Sequence, residues 1–172
     1  MNIDQKIQLL KPHTSLLLGN LMGIEKEGLR VSKKGGLSQA PHPSALGCAL
    51  THPNITTDFS ESLLELVTPP LSSARLALDF LKDTQHYLYC RLPKDQNFWP
   101  ASMPCVMRGK TYIPIAQYGT SNRGRMKTVY RQGLANRYGS VMQVIAGIHF
   151  NYSFSEEFIE KFCALSDNEQ NK

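Results

Sequence analysis

Two stretches set carboxylates where strands are expected. GIEKEGLRV (23–31) carries Glu25 and Glu27 at i and i+2, a spacing that points both to one face of an extended chain. THPNITTDFSESLLELVTPP (51–70) sets Asp58, Glu61 and Glu65 among Ile55, Phe59, Leu63, Leu64, Leu66 and Val67. Read as one extended segment, it gives Glu61 and Glu65 a common face. Carboxylates in apolar surroundings are costly unless paired or bound to a metal. If the two stretches are sheet neighbours, up to five carboxylates converge, and their repulsion raises pKa values unless a cation lies among them. All-oxygen sets of this kind suit Mg2+ or Mn2+, and Mg2+ commonly joins carboxylates to substrate phosphates. Of the five, Glu61 is the weakest candidate ligand. Either stretch alone also reads as a surface strand with ordinary solvated charges.

The charge distribution bears on the same question. Of 172 residues, the first 90 carry eight acids and eight bases. From Gln96 to Ser155 there is no Asp or Glu, but there are seven bases: Arg108, Lys110, Arg123, Arg125, Lys127, Arg131 and Arg137. An acid-free basic block suits either nucleic acid or a phosphate-bearing substrate. Clustered carboxylates favour the second, and no known nucleic-acid motif is present. No apolar run is long enough to span a bilayer and the N-terminus lacks a signal-peptide pattern, so a cytoplasmic protein without membrane partners is expected. The four cysteines (Cys48, Cys90, Cys105, Cys163) form no CxxC, which argues against structural zinc.

The positioning elements can be read in outline. Residues 2–21 read as a short amphipathic helix (Ile3, Ile7, Leu10) and a second apolar turn after Pro12. SKKGG (32–36) is a turn, and APHPSALG (40–47) a Pro-rich loop in which His42, like nearby His52, precedes a proline and reads as a loop residue. Pro69 and Pro70 end the carboxylate strand. Ser72 or Ser73 then caps a helix through about Arg91, with Leu76, Phe80, Leu81 and Leu88 as its buried stripe. NFWPASMPC (97–105) reads as an irregular segment.

AQYGTSNRGRMKTVYRQGLANRYG (116–139) is a glycine-containing loop feeding a helix that Ser121 or Asn122 caps. Met126, Tyr130, Leu134 and Tyr138 repeat at i+4 as an apolar stripe; Arg123, Lys127 and Arg131 form a basic one beside it. A glycine-rich entry to a helix N-terminus followed by arginines suits an anion, although the stretch is no P-loop. A solvated basic face is the competing reading. VMQVIAGIHFNYSF (141–154) alternates cleanly: Met142, Val144, Ala146, Ile148, Phe150, Tyr152 and Phe154 on one face, with Gln143, Gly147, His149, Asn151 and Ser153 on the other. This predicts one strand with a core face and a polar working face.

Taken together, GIEKEGLRV, ITTDFSESLLELVTP, FWPASMPC, AQYGTSNRGRMKTVYRQGLANRYG and GIHFNYSF resemble the N-terminal portion of bacterial, proteobacterial-type glutamate–cysteine ligases, in register from about Gly23 to Phe154. The resemblance implies an α+β fold similar to glutamine synthetase: an antiparallel β-sheet flanked by helices, here truncated, with ATP and Mg2+ (or Mn2+) on its concave face. ATP would phosphorylate the γ-carboxylate of L-glutamate, and the amine of L-cysteine would attack the acyl phosphate, the first step of glutathione biosynthesis.

Position by position, the resemblance puts Glu25, Glu27, Asp58, Glu65 and His149 at or near the metal cluster. It puts Phe59, Tyr130, Arg131 and Leu134 where cysteine is received, with Arg131 also the catalytic cation, and Gln143 and Asn151 on substrate-facing strands. Cys105 and Cys163 match a pair that some relatives join as a disulfide. Family members continue well past Lys172, so residues 1–172 would form the N-terminal part of a catalytic domain, with a polar tail from about 166. Turnover would then need a C-terminal part, from a longer polypeptide or as a separate fragment. The alternative is a non-catalytic remnant or a partner-binding fragment.

Overall fold

The computed structural model describes residues 2–107 and 111–170, with side chains through 166. Arg108 and Lys110 of the basic block lie outside the described residues, as do 171 and 172. The centre of the fold is β1 (Leu21–Ser32). Along one edge runs β3 (Leu63–Val67), antiparallel, from Glu25 opposite Val67 to Leu29 opposite Leu63; β2 (Ile55–Thr57) pairs with β3 beyond it. The other edge is shared by β5 (Ile148–Ser153), opposite Leu21–Lys26, and β4 (Gln96–Phe98), opposite Arg30–Ser32. The described residues form four α-helices: α1 (Ile3–Leu10), α2 (Ala74–Arg91), α3 (Asn122–Tyr138) and α4 (Glu156–Gln170). The expected antiparallel α+β architecture is what forms.

Strand alternation divides the core. Even-numbered Ile24 packs with Ile55, Leu64, Leu66 and Phe98 under Ala77, Leu81 and Leu88 of α2. Ser73 caps that helix, its Oγ accepting from Leu76 N–H at 3.2 Å. Ala77 occupies the buried position expected for Leu76, which is exposed; Ala77 and Leu81 are one turn apart, so the stripe is rotated by one residue. On the opposite face Leu29, Val31 and Leu63 pack with Phe59, Val144, Ala146 and Ile113, and Leu134 and Ala135 of α3 close over them.

Two expectations need correction. Residues 51–70 are not one strand: the chain turns between β2 and β3, where Asp58 N–H donates to Leu63 O and Leu63 N–H is shared between O and Oγ of Ser60. Parity is lost across that turn, so Glu61 leaves the face of Glu65. Its carboxylate accepts from the backbone N–H of His42 (2.6 Å) and Gln117 (2.7 Å) instead. Arg30 anchors the same region from full burial, donating to Gln96 Oε1 and to the carbonyls of Ala40, Pro41 and Glu61.

The strand expected over 141–154 is shorter. Ser140–Val144 is a 3-10 turn, and only Ile148–Ser153 extends. Val144 and Ala146 are buried, but every residue of β5 is exposed on both faces. Among the described residues β5 is paired along one edge only; Ile148 and Phe150 are more than half exposed, while Tyr152 meets the Phe154 ring edge-on. Cys105 and Cys163 are both free, the first buried and the second exposed, so the pairing is not formed.

Candidate functional site

Register brings the carboxylates together. Glu27 stands opposite Glu65 across β1 and β3, and Glu25 stands opposite His149 across β1 and β5. Cross-strand partners share a face, so Glu25, Glu27, Glu65 and His149 lie on one side of the sheet. Gly23 opposite Asn151 extends this face toward the start of β1. Asp58 joins from the β2–β3 turn rather than from a strand.

Glu25 and Glu27 have identifiable holders. Glu27 Oε2 accepts from Gly147 N–H at 2.6 Å, and its Oε1 lies 3.4 Å from His149 Nε2. Gly147 permits that approach, because a Cβ there would stand 2.8 Å from His149 Nε2. Asn151 Nδ2 donates to Glu25 Oε1 at 3.0 Å. A shallow cleft of about 240 Å³ beside Glu25 is lined by Gly23, Val67, Thr68, Pro70, Asn151 and Ser153 among others.

The electrostatics are those of crowded anions. Burial pushes the Glu65 carboxyl up to about 7, and the neighbouring Asp58, Glu25 and Glu27 push it the same way. Asp58 is raised as well, by burial and then by Glu27, against the pull of Arg131, His149 and Lys127. Such a set is relieved by protons or by a cation. In donor chemistry it fits a hard divalent ion. Among the described residues, however, no three His, Cys, Asp or Glu close around one point tightly enough to enclose an ion. The face offers ligands; it is not a closed shell.

Across from the carboxylates stands α3, capped by Ser121, whose Oγ accepts from Gly124 N–H. Its orientation inverts the expected stripe. Met126, Tyr130 and Tyr138 are exposed, whereas Lys127 and Arg131 turn inward. Arg131 Nε donates to the backbone carbonyl of Asp58, and its Nη2 reaches Thr57 O at 3.5 Å. Lys127 Nζ and the Arg131 guanidinium each lie 4.8 Å from the centroid of the Tyr118 ring. The solvated-face reading fails for Lys127 and Arg131, to which an aromatic ring and strand-end carbonyls give partners inside, and holds for Arg123, which is exposed.

Of the remaining expected site residues, Phe59 and Leu134 share one packed cluster. Phe59 is fully buried in the core below α3, and Leu134 is half-buried against that core. Tyr130 is exposed on the outer side of α3, and Gln143 sits half-buried in the 3-10 turn before β5. Sequence reasoning missed Tyr118. Its only signal was an aromatic residue directly before the glycine loop, which by itself distinguishes nothing.

Comparison with known proteins gives the family of the chain. The family model described as glutamate-cysteine ligase matches residues 7–172. Glutamate–cysteine ligase of Alcanivorax borkumensis is 49% identical over 159 residues, 91% of this chain and 30% of the relative. That of Edwardsiella ictaluri is 46% identical over 99% of this chain and 33% of its own length. Among solved structures, glutamate–cysteine ligase of Francisella tularensis in complex with AMP superposes with a TM-score of 0.82 at 42% identity, covering 89% of this chain and 30% of that one. A bifunctional glutathione synthetase from Pasteurella multocida gives a TM-score of 0.80 at 31% identity, covering 94% and 20%. The chain therefore spans about 30% of the length of the curated relatives it matches, and it belongs to the glutamate–cysteine ligase family.

Proposed function

We propose that this chain supplies the carboxylate-bearing part of an ATP-dependent ligase that joins the γ-carboxylate of L-glutamate to the amine of L-cysteine. In this reaction a γ-carboxylate oxygen attacks the γ-phosphorus of ATP, the Pγ–O bond to ADP breaks, and a γ-glutamyl phosphate forms. The cysteine amine then attacks the acyl carbon, phosphate leaves, and the amine loses a proton. The product, γ-glutamylcysteine, is the first intermediate of glutathione synthesis. The reading is carried by one observation: Glu25, Glu27 and Glu65 share a face with His149, and Asp58 stands between them and the cations of α3.

Glu25, Glu27, Asp58, Glu65 and His149 are the residues that would hold Mg2+ or Mn2+. A bound divalent cation neutralises phosphate charge during phosphoryl transfer. Arg131 is the catalytic cation, and Lys127 lies beside it. Phe59, Leu134 and Arg131 on the inner side of α3, and Tyr130 on its outer side, are the residues we assign to receiving cysteine. Gln143 and Asn151 serve as substrate-facing polar groups. Among the described residues no helix is long and apolar enough to cross a membrane.

A second reading is favoured by β5, whose free edge and bare faces suit a partner. In that reading the chain binds a separate C-terminal fragment and is inactive without it. The test is ATP-dependent formation of γ-glutamylcysteine by the purified chain, alone and mixed with a C-terminal piece of a relative. Product only in the mixture supports both statements. Product from the chain alone removes the second, and no product in either removes the first.

A further inference from the structure

Tyr118 ties the α3 side of the site to the β2–β3 turn, and no step above uses it. Its ring is 5% exposed. Its hydroxyl accepts from Thr57 Oγ1 at 2.9 Å, donates to Thr57 O at 2.8 Å and lies 3.3 Å from Asp58 O. These are the same two carbonyls that receive Arg131. The start of α3 is pressed onto the Tyr118 backbone, where a Cβ at Gly124 would stand 2.3 Å from its carbonyl oxygen. The ring is thus fixed from three sides, and it carries two cations at once.

That arrangement is unusual for its charge. Residues four apart on a helix are neighbours, so Lys127 and Arg131 repel each other while the quadrupole of one ring attracts both. Arg131 has carbonyl acceptors. Lys127 is half-buried, and among the described residues its ammonium makes the ring contact and neither a hydrogen bond nor an ion pair. Burial, Arg131 and Arg123 hold its pKa below the usual lysine range, while Glu65 and Asp58 act in the opposite sense. A half-buried cation on a rigid platform, near but not bonded to carboxylates, is matched by an external oxyanion.

We propose that Tyr118 is a positioning residue that holds Lys127 and Arg131 as a paired oxyanion clamp, and that Lys127 is the group contacting a phosphoryl or carboxylate oxygen of the substrate. The ligand assignment rests on the function proposed above; the clamp itself does not. Two arms keep them apart, both on the full chain by NMR.

The first arm uses no ligand. Side-chain methylene protons of Lys127 should be shifted upfield by the ring in the parent and in Tyr118→Phe, and should return toward free-lysine positions in Tyr118→Leu. Unchanged Lys127 positions in Tyr118→Leu overturn the clamp. Should that variant not fold, the parent decides, since free-lysine positions there overturn it equally. The second arm titrates Mg-ATP and L-glutamate separately, distinguishing a phosphoryl from a carboxylate source. Lys127→Ala should weaken binding of one of them about tenfold or more, and Lys127→Arg should restore most of it. Unaltered affinity in Lys127→Ala overturns the role of Lys127 and leaves the proposed function standing. A parent that binds neither compound overturns the proposed function for this chain and the ligand role with it, while the first arm still decides the clamp.

Discussion

Glu27 and Glu65 face each other directly across the β1–β3 ladder. Like charges in register oppose pairing, yet the surrounding strands are among the best packed of the fold, with Leu64 and Leu66 fully buried on the opposite side. The sheet therefore holds two carboxylates together at a cost to its own stability, as functional sites commonly do.

The pH dependence of stability should report this. The Glu65 carboxyl is held at about 7 against an ordinary 4.5, so between those values the folded chain keeps a proton that the unfolded chain releases. Stability from this group is fully present below about pH 4.5 and is lost as pH rises through about 7. Burial of His42 lowers its pKa and works in the opposite sense, so the difference between parent and variant is the quantity to measure. Glu65→Gln should raise the urea midpoint at pH 8 relative to the parent and reduce the fall between pH 5 and 8. Mg2+ should also raise the parent midpoint at pH 8. Parallel pH profiles for parent and Glu65→Gln rule this out.

The common face of Glu25 and Glu27 was legible because period two is strict within a strand; that Glu65 joins them is set by the β1–β3 register, which parity does not carry. Glu61 was not legible, since parity carries no information across a turn, and Ser60 gives no sign in sequence that its oxygens will capture Leu63. The direction of α3 was illegible for a different reason. Apolar residues ordinarily mark the inner stripe of a helix, but here Lys127 and Arg131 find a ring and carbonyls inside while Met126 and Tyr130 remain outside. Lys26 and Arg30 break the alternation of β1 in the same way, both being buried. Val141–Phe154 reads as a core face because its even positions are apolar; whether a second layer covers them is not a property of that stretch.

Glu61 should matter to the fold more than to chemistry. Its two oxygens satisfy two backbone N–H groups that join the 40–47 loop to the segment before α3. Removing an acceptor from such groups costs roughly 1–3 kcal/mol for each one left unsatisfied. Glu61→Ala should therefore lower the urea-derived stability by about that much or more, and Glu61→Gln, which keeps one acceptor, by less. Affinity for Mn2+ should remain near that of the parent once folding is corrected for. An Ala variant as stable as the parent, or one that is fully folded but loses Mn2+, contradicts the structural assignment.

The bare strand should make the chain associate. Ile148 is 64% exposed and Phe150 57%, and they flank an unpaired edge, the arrangement that templates strand addition. Sedimentation of the purified chain should show mass above the monomer, increasing with concentration. Phe150→Lys should shift it toward monomer with little change in melting temperature. A strictly monomeric parent at high concentration removes the prediction.

The last contrast separates the two faces of β5. Because Ile148 and Phe150 are exposed among the described residues, Ile148→Ala and Phe150→Ala should change the stability of this chain by no more than about 0.5 kcal/mol. Leu66→Ala, in the buried layer of the neighbouring strand, should cost roughly 2–5 kcal/mol. On the other face, His149→Ala removes the imidazole beside Glu27, and Asn151→Ala removes the amide that holds Glu25. Both should weaken binding of Mn2+, followed by the loss of its free signal in electron paramagnetic resonance, while leaving the melt unchanged. A strand with a merely solvated face predicts no effect on either property. The reading is lost if both odd-position variants bind Mn2+ as the parent does, or if Ile148→Ala destabilises the chain as strongly as Leu66→Ala.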